Sequence, residues 1–285
     1  MLPLFNYTPL ATSLDKTTRT LVIGLKKPET QNAITQELLF ELESMLAWCT
    51  SRVEIHSILI ESSGPDFSHG FGAERLATTS SAQLEKLAMR LHKIIFAMLQ
   101  MPQTIVIDLG NGARNWAMEL ALGADIRLCR RGADLRFDHG RLGLTPAAGG
   151  MSFLTHFVGA SFARPWLLSG QRIAAEQLQA SGLIHEVYDE TSRQSNLQQL
   201  LADIHQQAPI QRIQTKLGLF ESQRHQIETA LQQDLKIAKA ARVSEDWRHE
   251  RKDDKQEFMP AKSMSYSVKL SLVKSGPERG PELDH

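Results

Sequence analysis

Three stretches decide the fold: Asp66-Phe67-Ser68-His69-Gly70-Phe71, Asn115-Trp116-Ala117-Met118-Glu119-Leu120-Ala121, and Leu142-Gly143-Leu144-Thr145-Pro146-Ala147-Ala148-Gly149-Gly150. The first two read as loop-to-helix turns. The third is a Gly/Pro-rich connection. A turn that enters a helix offers backbone N–H groups, because the first turn has no intrahelical acceptors, and the helix dipole there favours an anion. Two such turns in one chain raise the question of what they jointly bind.

Strands alternate with helices around these stretches. Thr20–Lys26 (TLVIGLK) is β-rich, and Pro28 breaks it. Thr35 is suited to cap a helix running to about Ser51, with Leu38, Leu39, Leu42, Met45, Leu46 and Trp48 on one face. Ile55–Glu61 is a second strand. Ser81–Leu99 carries an apolar stripe of Leu84, Leu87, Ala88, Leu91, Ile94, Ile95 and Met98, and Pro102 stops it. Thr104–Leu109 is nearly all apolar, as in a strand buried on both faces. Trp116–Leu122 reads as a helix, and Asp125–Cys129 and Ala133–Phe137 as short strands. This alternation predicts βαβ units with right-handed crossovers.

The character changes near Ser192. Residues 196–207, 209–221 and 223–243 read as helices rich in Gln, Lys and Ala. Ser244–Lys255 is a charged, solvated stretch. The reading is therefore a 1–190 α/β core, a 191–262 α-helical part that also serves assembly, and a loose 263–285 tail, with a short strand possible around Tyr266–Leu272.

The composition is that of a soluble globular chain. It has 285 residues, 42% of them hydrophobic, and a formal net charge of zero. That balance gives no electrostatic case for nucleic acid or an anionic membrane. No run of about 18 apolar residues suggests a spanning helix. The N-terminus, MLPLFNYTPLATSLDK, lacks the basic and apolar regions of a signal peptide. Cys49 and Cys129 read as reduced thiols of a cytoplasmic protein, with a metal pair or disulfide as the minor alternative. No metal-ligand cluster, P-loop, dinucleotide fingerprint or Ser-His-Asp signature is present.

Five motifs, in order and at matching spacing, resemble the enoyl-CoA hydratase/isomerase (crotonase) family over about residues 18–262. Lys27-Pro28-Glu29-Thr30-Gln31-Asn32-Ala33-Ile34 is similar to its RPExxNAL segment, and Asp66–Gly70 to its xFSAG turn. Glu119–Asp125 is similar to the ELALxCD helix, and Leu142–Gly150 to LGLxPGxGG. Val158-Gly159, and then Leu168 through Ile184, are similar to the run that follows. The resemblance implies an α/β spiral of ββα units with an α-helical C-terminal part, assembled as a trimer or a dimer of trimers.

It also implies a chemistry. In the family two backbone N–H groups polarise a thioester carbonyl, and preorganised donors of this kind are worth roughly 3–4 kcal/mol each. Carried over, the donors are the N–H groups of Phe71 and Trp116. A loop aromatic packed on the core is the alternative for Phe71. Trp116 stands where the family has glycine, so its indole must turn aside, shape the substrate channel or plug the site. Glu119 matches one catalytic carboxylate; a first-turn dipole partner is the alternative. The second carboxylate falls on His139, which can transfer protons near neutrality or be a partly exposed loop histidine. His69 and Gly70 would line the pocket, and Lys27 would meet coenzyme A phosphates unless it is simply solvated.

The resemblance therefore implies an enzyme of the enoyl-CoA hydratase/isomerase type acting on an acyl-CoA, with no cofactor beyond the coenzyme A of the substrate. Alternatives are other crotonase-fold chemistry (isomerase, hydrolase or C–C lyase) and a catalytically silent acyl-CoA-binding protein.

Overall fold

The computed structural model describes residues 9–76 and 78–244. The expected Ser244–Lys255 run, the 262 boundary, the 263–285 tail and the Tyr266–Leu272 strand lie outside the described residues, apart from Ser244 itself.

A six-stranded sheet forms the centre. Its order is β1 (Leu10–Asp15), β2 (Thr20–Leu25), β3 (Ser57–Ser62), β4 (Thr104–Asp108), β6 (Ile126–Arg130) and β8 (Glu186–Tyr188). Only β1 and β2 pair antiparallel; every other pairing in this sheet is parallel. The β4 side chains of Ile105, Val106 and Ile107 are buried, as its apolar run predicts. A second, two-stranded parallel sheet pairs β5 (Gly112–Arg114) with β7 (Asp134–Arg136). Single bridges from Ser68 to Ala113 and from Leu135 to Ile173 extend this small sheet on both sides. It is this second layer that brings the two loop-to-helix turns together.

The helices follow their sequence signals. In α1 (Gln36–Thr50) the Thr35 side chain accepts the Leu38 N–H at 3.0 Å, the expected N-cap. Helix α2 (Ala73–Leu76) is one short turn. Helix α3 (Ser81–Gln100) starts with a full capping box between Ser80 and Gln83. Its stripe, Leu84 to Met98, is buried. Helix α4 (Trp116–Leu122) is buried along its whole length. Helices α5 (Ser152–Val158), α6 (Ala160–Ser169) and α7 (Ala175–Ala180) lead to β8.

The C-terminal part is helical: α8 (Arg193–Gln206), α9 (Pro209–Glu221) and α10 (Arg224–Ala241). Leu197, Leu201 and Ile204 of α8 join Leu59, Val106 and Leu128 in a cluster on one face of the sheet. Lys216 of α9 is buried. Its ammonium donates to the carbonyls of Met98 and Gln103 and to Asp125 Oδ2, at 2.8, 2.7 and 2.6 Å. That pins α9 to the loops after α3 and α4. Cys49 and Cys129 are free and buried, and burial pushes both thiols up to about 12, as suits reduced, inert cysteines. Among the described residues no helix is long and apolar enough to cross a membrane.

Candidate active site

The two turns meet at one atom. The Phe71 N–H and the Trp116 N–H both donate to Asn115 Oδ1, at 2.8 and 2.7 Å. They come from separate elements, the turn after β3 and the first residue of α4. Two backbone donors converging on one carbonyl oxygen are the geometry of an oxyanion hole. Here the oxygen belongs to the chain's own Asn115 carboxamide.

Several features make this arrangement possible. Asn115 has φ 37° and ψ −112°, a positive-φ backbone that non-glycine residues rarely adopt. Gly70 has φ +70°, and a Cβ built there would lie 2.0 Å from Asn115 Oδ1. Glycine at 70 is thus what gives the carboxamide room. Asn115 Nδ2 donates to the His69 carbonyl at 3.2 Å and to Asp138 Oδ1 at 3.3 Å.

The side chains of the two donor residues turn into the core. The Phe71 and Trp116 rings lie 4.9 Å apart and tilted, and both residues are buried. The indole therefore packs against Phe71, while the hole itself is filled by Asn115. The indole Nε1 is buried and has no hydrogen-bond partner among the described residues.

Glu119 lies one turn along α4 and is 0% exposed. Its Oε1 accepts three backbone N–H groups, from Ala147 at 3.0 Å, Ala148 at 2.7 Å and Gly150 at 2.8 Å. This explains the small residues of that stretch. A Cβ on Gly150 would lie 2.7 Å from the Pro146 Cβ and 2.9 Å from Glu119 Oε1. The other oxygen, Oε2, lies 3.0 Å from His139 Nε2. His139 is 1% exposed, so the partly exposed loop histidine is excluded; it opens a 3-10 turn, His139–Leu142, with its ring directed at Glu119. Its Nδ1 is buried and has no partner among the described residues. The neighbouring Asp138 serves Asn115 rather than the imidazole.

A second buried carboxylate adjoins this cradle. Asp234 of α10 accepts from the Met151 and Ser152 N–H groups, both at 3.2 Å, and from Ser152 Oγ at 3.0 Å. Burial pushes its carboxyl up to about 6, and the charge of Glu119 adds to the rise.

The structure thus brings Glu119 and His139 into contact and gathers Phe71, Trp116, Gly70 and the His69 carbonyl around Asn115. Two expected pocket side chains make no contact with Asn115 among the described hydrogen bonds. His69 Nε2 lies 3.1 Å from Asp66 Oδ2. Lys27 lines a separate cavity of ≈ 160 Å³ with Thr30, Thr35 and Arg75. Among the described residues no group of three or more His, Cys, Asp or Glu is placed to hold a metal. Sequence reasoning missed Asn115 and Asp234, and it weighed Asp138 only as a neighbour that could orient the His139 imidazole, whereas Asp138 accepts from Asn115. The available signal was Asn115 itself, a left-handed-tolerant amide where the family's turn is glycine-rich.

The family model described as Enoyl-CoA hydratase/isomerase matches residues 15–259. The chain is 28% identical over 234 residues to 2,3-dehydroadipyl-CoA hydratase of Escherichia coli (strain K12), covering 81% of this chain and 90% of that protein. It is 24% identical over 236 residues to 1,2-epoxyphenylacetyl-CoA isomerase of the same organism, covering 80% and 88%. Its fold is similar to the crystal structure of enoyl-CoA hydratase from Bacillus halodurans, with a TM-score of 0.76, 22% identity, and coverage of 82% and 95%. The fold is the expected crotonase-like α/β architecture with a helical C-terminal part. The chain belongs to the enoyl-CoA hydratase/isomerase family, and so to the enzymes that process acyl-CoA thioesters.

Proposed function

We propose that this enzyme stabilises an enolate-like oxyanion of an acyl-CoA at the N–H groups of Phe71 and Trp116, while His139 moves the proton. The observation that carries the reading is the convergence of those two N–H groups on a single carbonyl oxygen. A thioester oxygen there gains charge in the transition state, so the donors act more strongly on it than on the ground state.

His139 is the proton carrier in this reading, because Nδ1 has no partner among the described residues while Nε2 is held by Glu119. Glu119 acts through the imidazole, fixing its orientation and tautomer as the carboxylate of a triad does. With Oε1 committed to three amides, Glu119 is a positioning residue rather than a group that touches substrate. The chemistry calls for no cofactor beyond the coenzyme A carried by the substrate. Lys27, beside Arg75, is proposed to meet its phosphates.

A second reading is favoured by one observation: both donors are already satisfied by Asn115 and Glu119 is fully enclosed. It is a silent acyl-CoA-binding protein. A hydratase assay on crotonyl-CoA beside a calorimetric coenzyme A titration separates the readings. Turnover supports the enzyme, and binding without turnover supports the silent protein. Neither binding nor turnover would leave chemistry without coenzyme A, such as isomerisation, hydrolysis or C–C cleavage of another carbonyl compound.

The same proposal includes a homotrimer or dimer of trimers, a cytoplasmic location and a role in fatty acid metabolism. Exposed apolar side chains on the outer helices, Phe162, Leu168, Ile210 and Leu219, supply surface for assembly. A monomer by light scattering at micromolar concentration would refute the trimer.

A further inference from the structure

We infer that Asn115 is an internal carbonyl ligand of the oxyanion hole, which a substrate must displace, and that it sets which carbonyls the hole admits. The inference rests on the reading that the hole receives a thioester oxygen.

The geometry separates Asn115 from an ordinary helix cap. A capping Asn accepts from the second or third N–H of its helix. Asn115 Oδ1 instead accepts from the first, Trp116, and from Phe71 in a different element. Its side chain therefore fills the position between two loops rather than closing the helix end. A positive-φ backbone at φ 37° accompanies this placement. Across the gap, glycine at 70 leaves room for Oδ1, since a Cβ there would overlap it.

The carboxamide is gripped unevenly. Its oxygen is held at 2.7 and 2.8 Å, whereas Nδ2 sits 3.2 and 3.3 Å from the His69 carbonyl and Asp138 Oδ1. Those two acceptors fix which end of the amide faces the donors.

This arrangement has a chemical consequence. An amide oxygen is a better hydrogen-bond acceptor than a neutral thioester oxygen, because nitrogen donates more electron density into the carbonyl than sulfur does. A ground-state thioester therefore competes poorly with Asn115 for the two N–H groups. An oxyanion competes well, because hydrogen bonds to charged acceptors are roughly twice as strong. Asn115 thus biases the hole toward carbonyls that develop negative charge, and against simple acyl-CoA thioesters that only dock.

The test uses Asn115→Gly, a substitution suited to the positive φ. It empties a space the shape of acetamide. Free acetamide should raise the thermal midpoint of the variant and leave the wild type unmoved. Crotonyl-CoA should bind the variant about ten-fold more tightly than the wild type, the scale of one or two regained hydrogen bonds. S-butyl-CoA, a thioether without the carbonyl, should bind both proteins alike. Absence of acetamide rescue overturns the inference, and so does an equal gain for thioester and thioether. Acetamide rescue with neither CoA compound bound by either protein upholds the internal ligand and instead refutes the thioester reading. Asn115→Ser, which cannot reach both donors, serves as the second variant should the glycine variant not fold.

Discussion

Glu119 Oε2 lies 3.0 Å from His139 Nε2, and both side chains are closed off from solvent. A carboxylate already tied to three amides thus holds one edge of an imidazole and leaves Nδ1 as the nitrogen without a partner among the described residues. The contact joins the two residues that the family resemblance singles out in the sequence.

Replacing Glu119 by Gln should abolish turnover of an acyl-CoA. One amide oxygen can still accept the Ala147, Ala148 and Gly150 N–H groups, but an NH2 then faces His139 and the carboxylate that orients it is lost. The fold should survive with a loss of about 1–3 kcal/mol in denaturant unfolding. Glu119→Ala, which strands three buried N–H groups, should cost more. Full activity in Glu119→Gln would end the positioning role.

His139→Ala should lower turnover and leave Glu119 Oε2 without its donor. His139→Glu is expected to fail as a restored hydratase. It sets a second buried carboxylate against Glu119, and two such groups cannot both ionise comfortably at that distance. Its unfolding midpoint should therefore fall at neutral pH and recover in mild acid. A variant as stable as wild type at pH 7 would show that the segment can turn the new side chain away.

Gly70→Ala should destabilise the protein. The left-handed backbone alone costs about 1–2 kcal/mol. The Cβ would also meet Asn115 Oδ1 at 2.0 Å and the Arg114 carbonyl at 2.4 Å. Backbone cannot swing aside as a side-chain tip can, so a total loss above the conformational cost is expected in chemical denaturation. A change below 1 kcal/mol would contradict the packing described.

Asp234 predicts a pH dependence of stability. Its carboxyl is pushed from 3.8 up to about 6 in the fold. Between those values the folded chain keeps a proton that the unfolded chain has lost. Stability from this group is therefore fully present below pH 4 and declines as pH rises to 6, by roughly 3 kcal/mol at ~1.4 kcal/mol per decade. Asp234→Asn should remove that slope. Unfolding free energies of both proteins across pH 4–7 check it, and parallel curves would refute it.

Much of the architecture was legible because it rests on local signals. Thr35 and the stripe of α3 announce their helices through capping and periodicity. The strands β2, β3 and β4 announce themselves through unbroken apolar runs. Edge strand β1, Leu10–Asp15, was missed because polar Thr12, Ser13 and Asp15 break its apolar run and only Leu10 is buried. The three-residue strands β5 and β8 are too short to carry a period. Glu119 and His139 could be singled out by motif, yet not their contact, which joins positions 20 residues apart in different elements. Asn115 was invisible as an occupant because its partner Phe71 is 44 residues away, and only the fold brings them together.

The segment 147–152 serves two carboxylates from opposite ends, Glu119 through its first amides and Asp234 through its last. The site thus takes part of its rigidity from α10, close to the C-terminal end of the described chain. Opening free energies differ across a protein, and peripheral helices detach before a central parallel sheet does. When α10 lifts, Met151 and Ser152 lose their acceptor and the Glu119 cradle slackens, while β2, β3 and β4 stay paired. Partial unfolding of this molecule therefore disarms it first and dismantles it later.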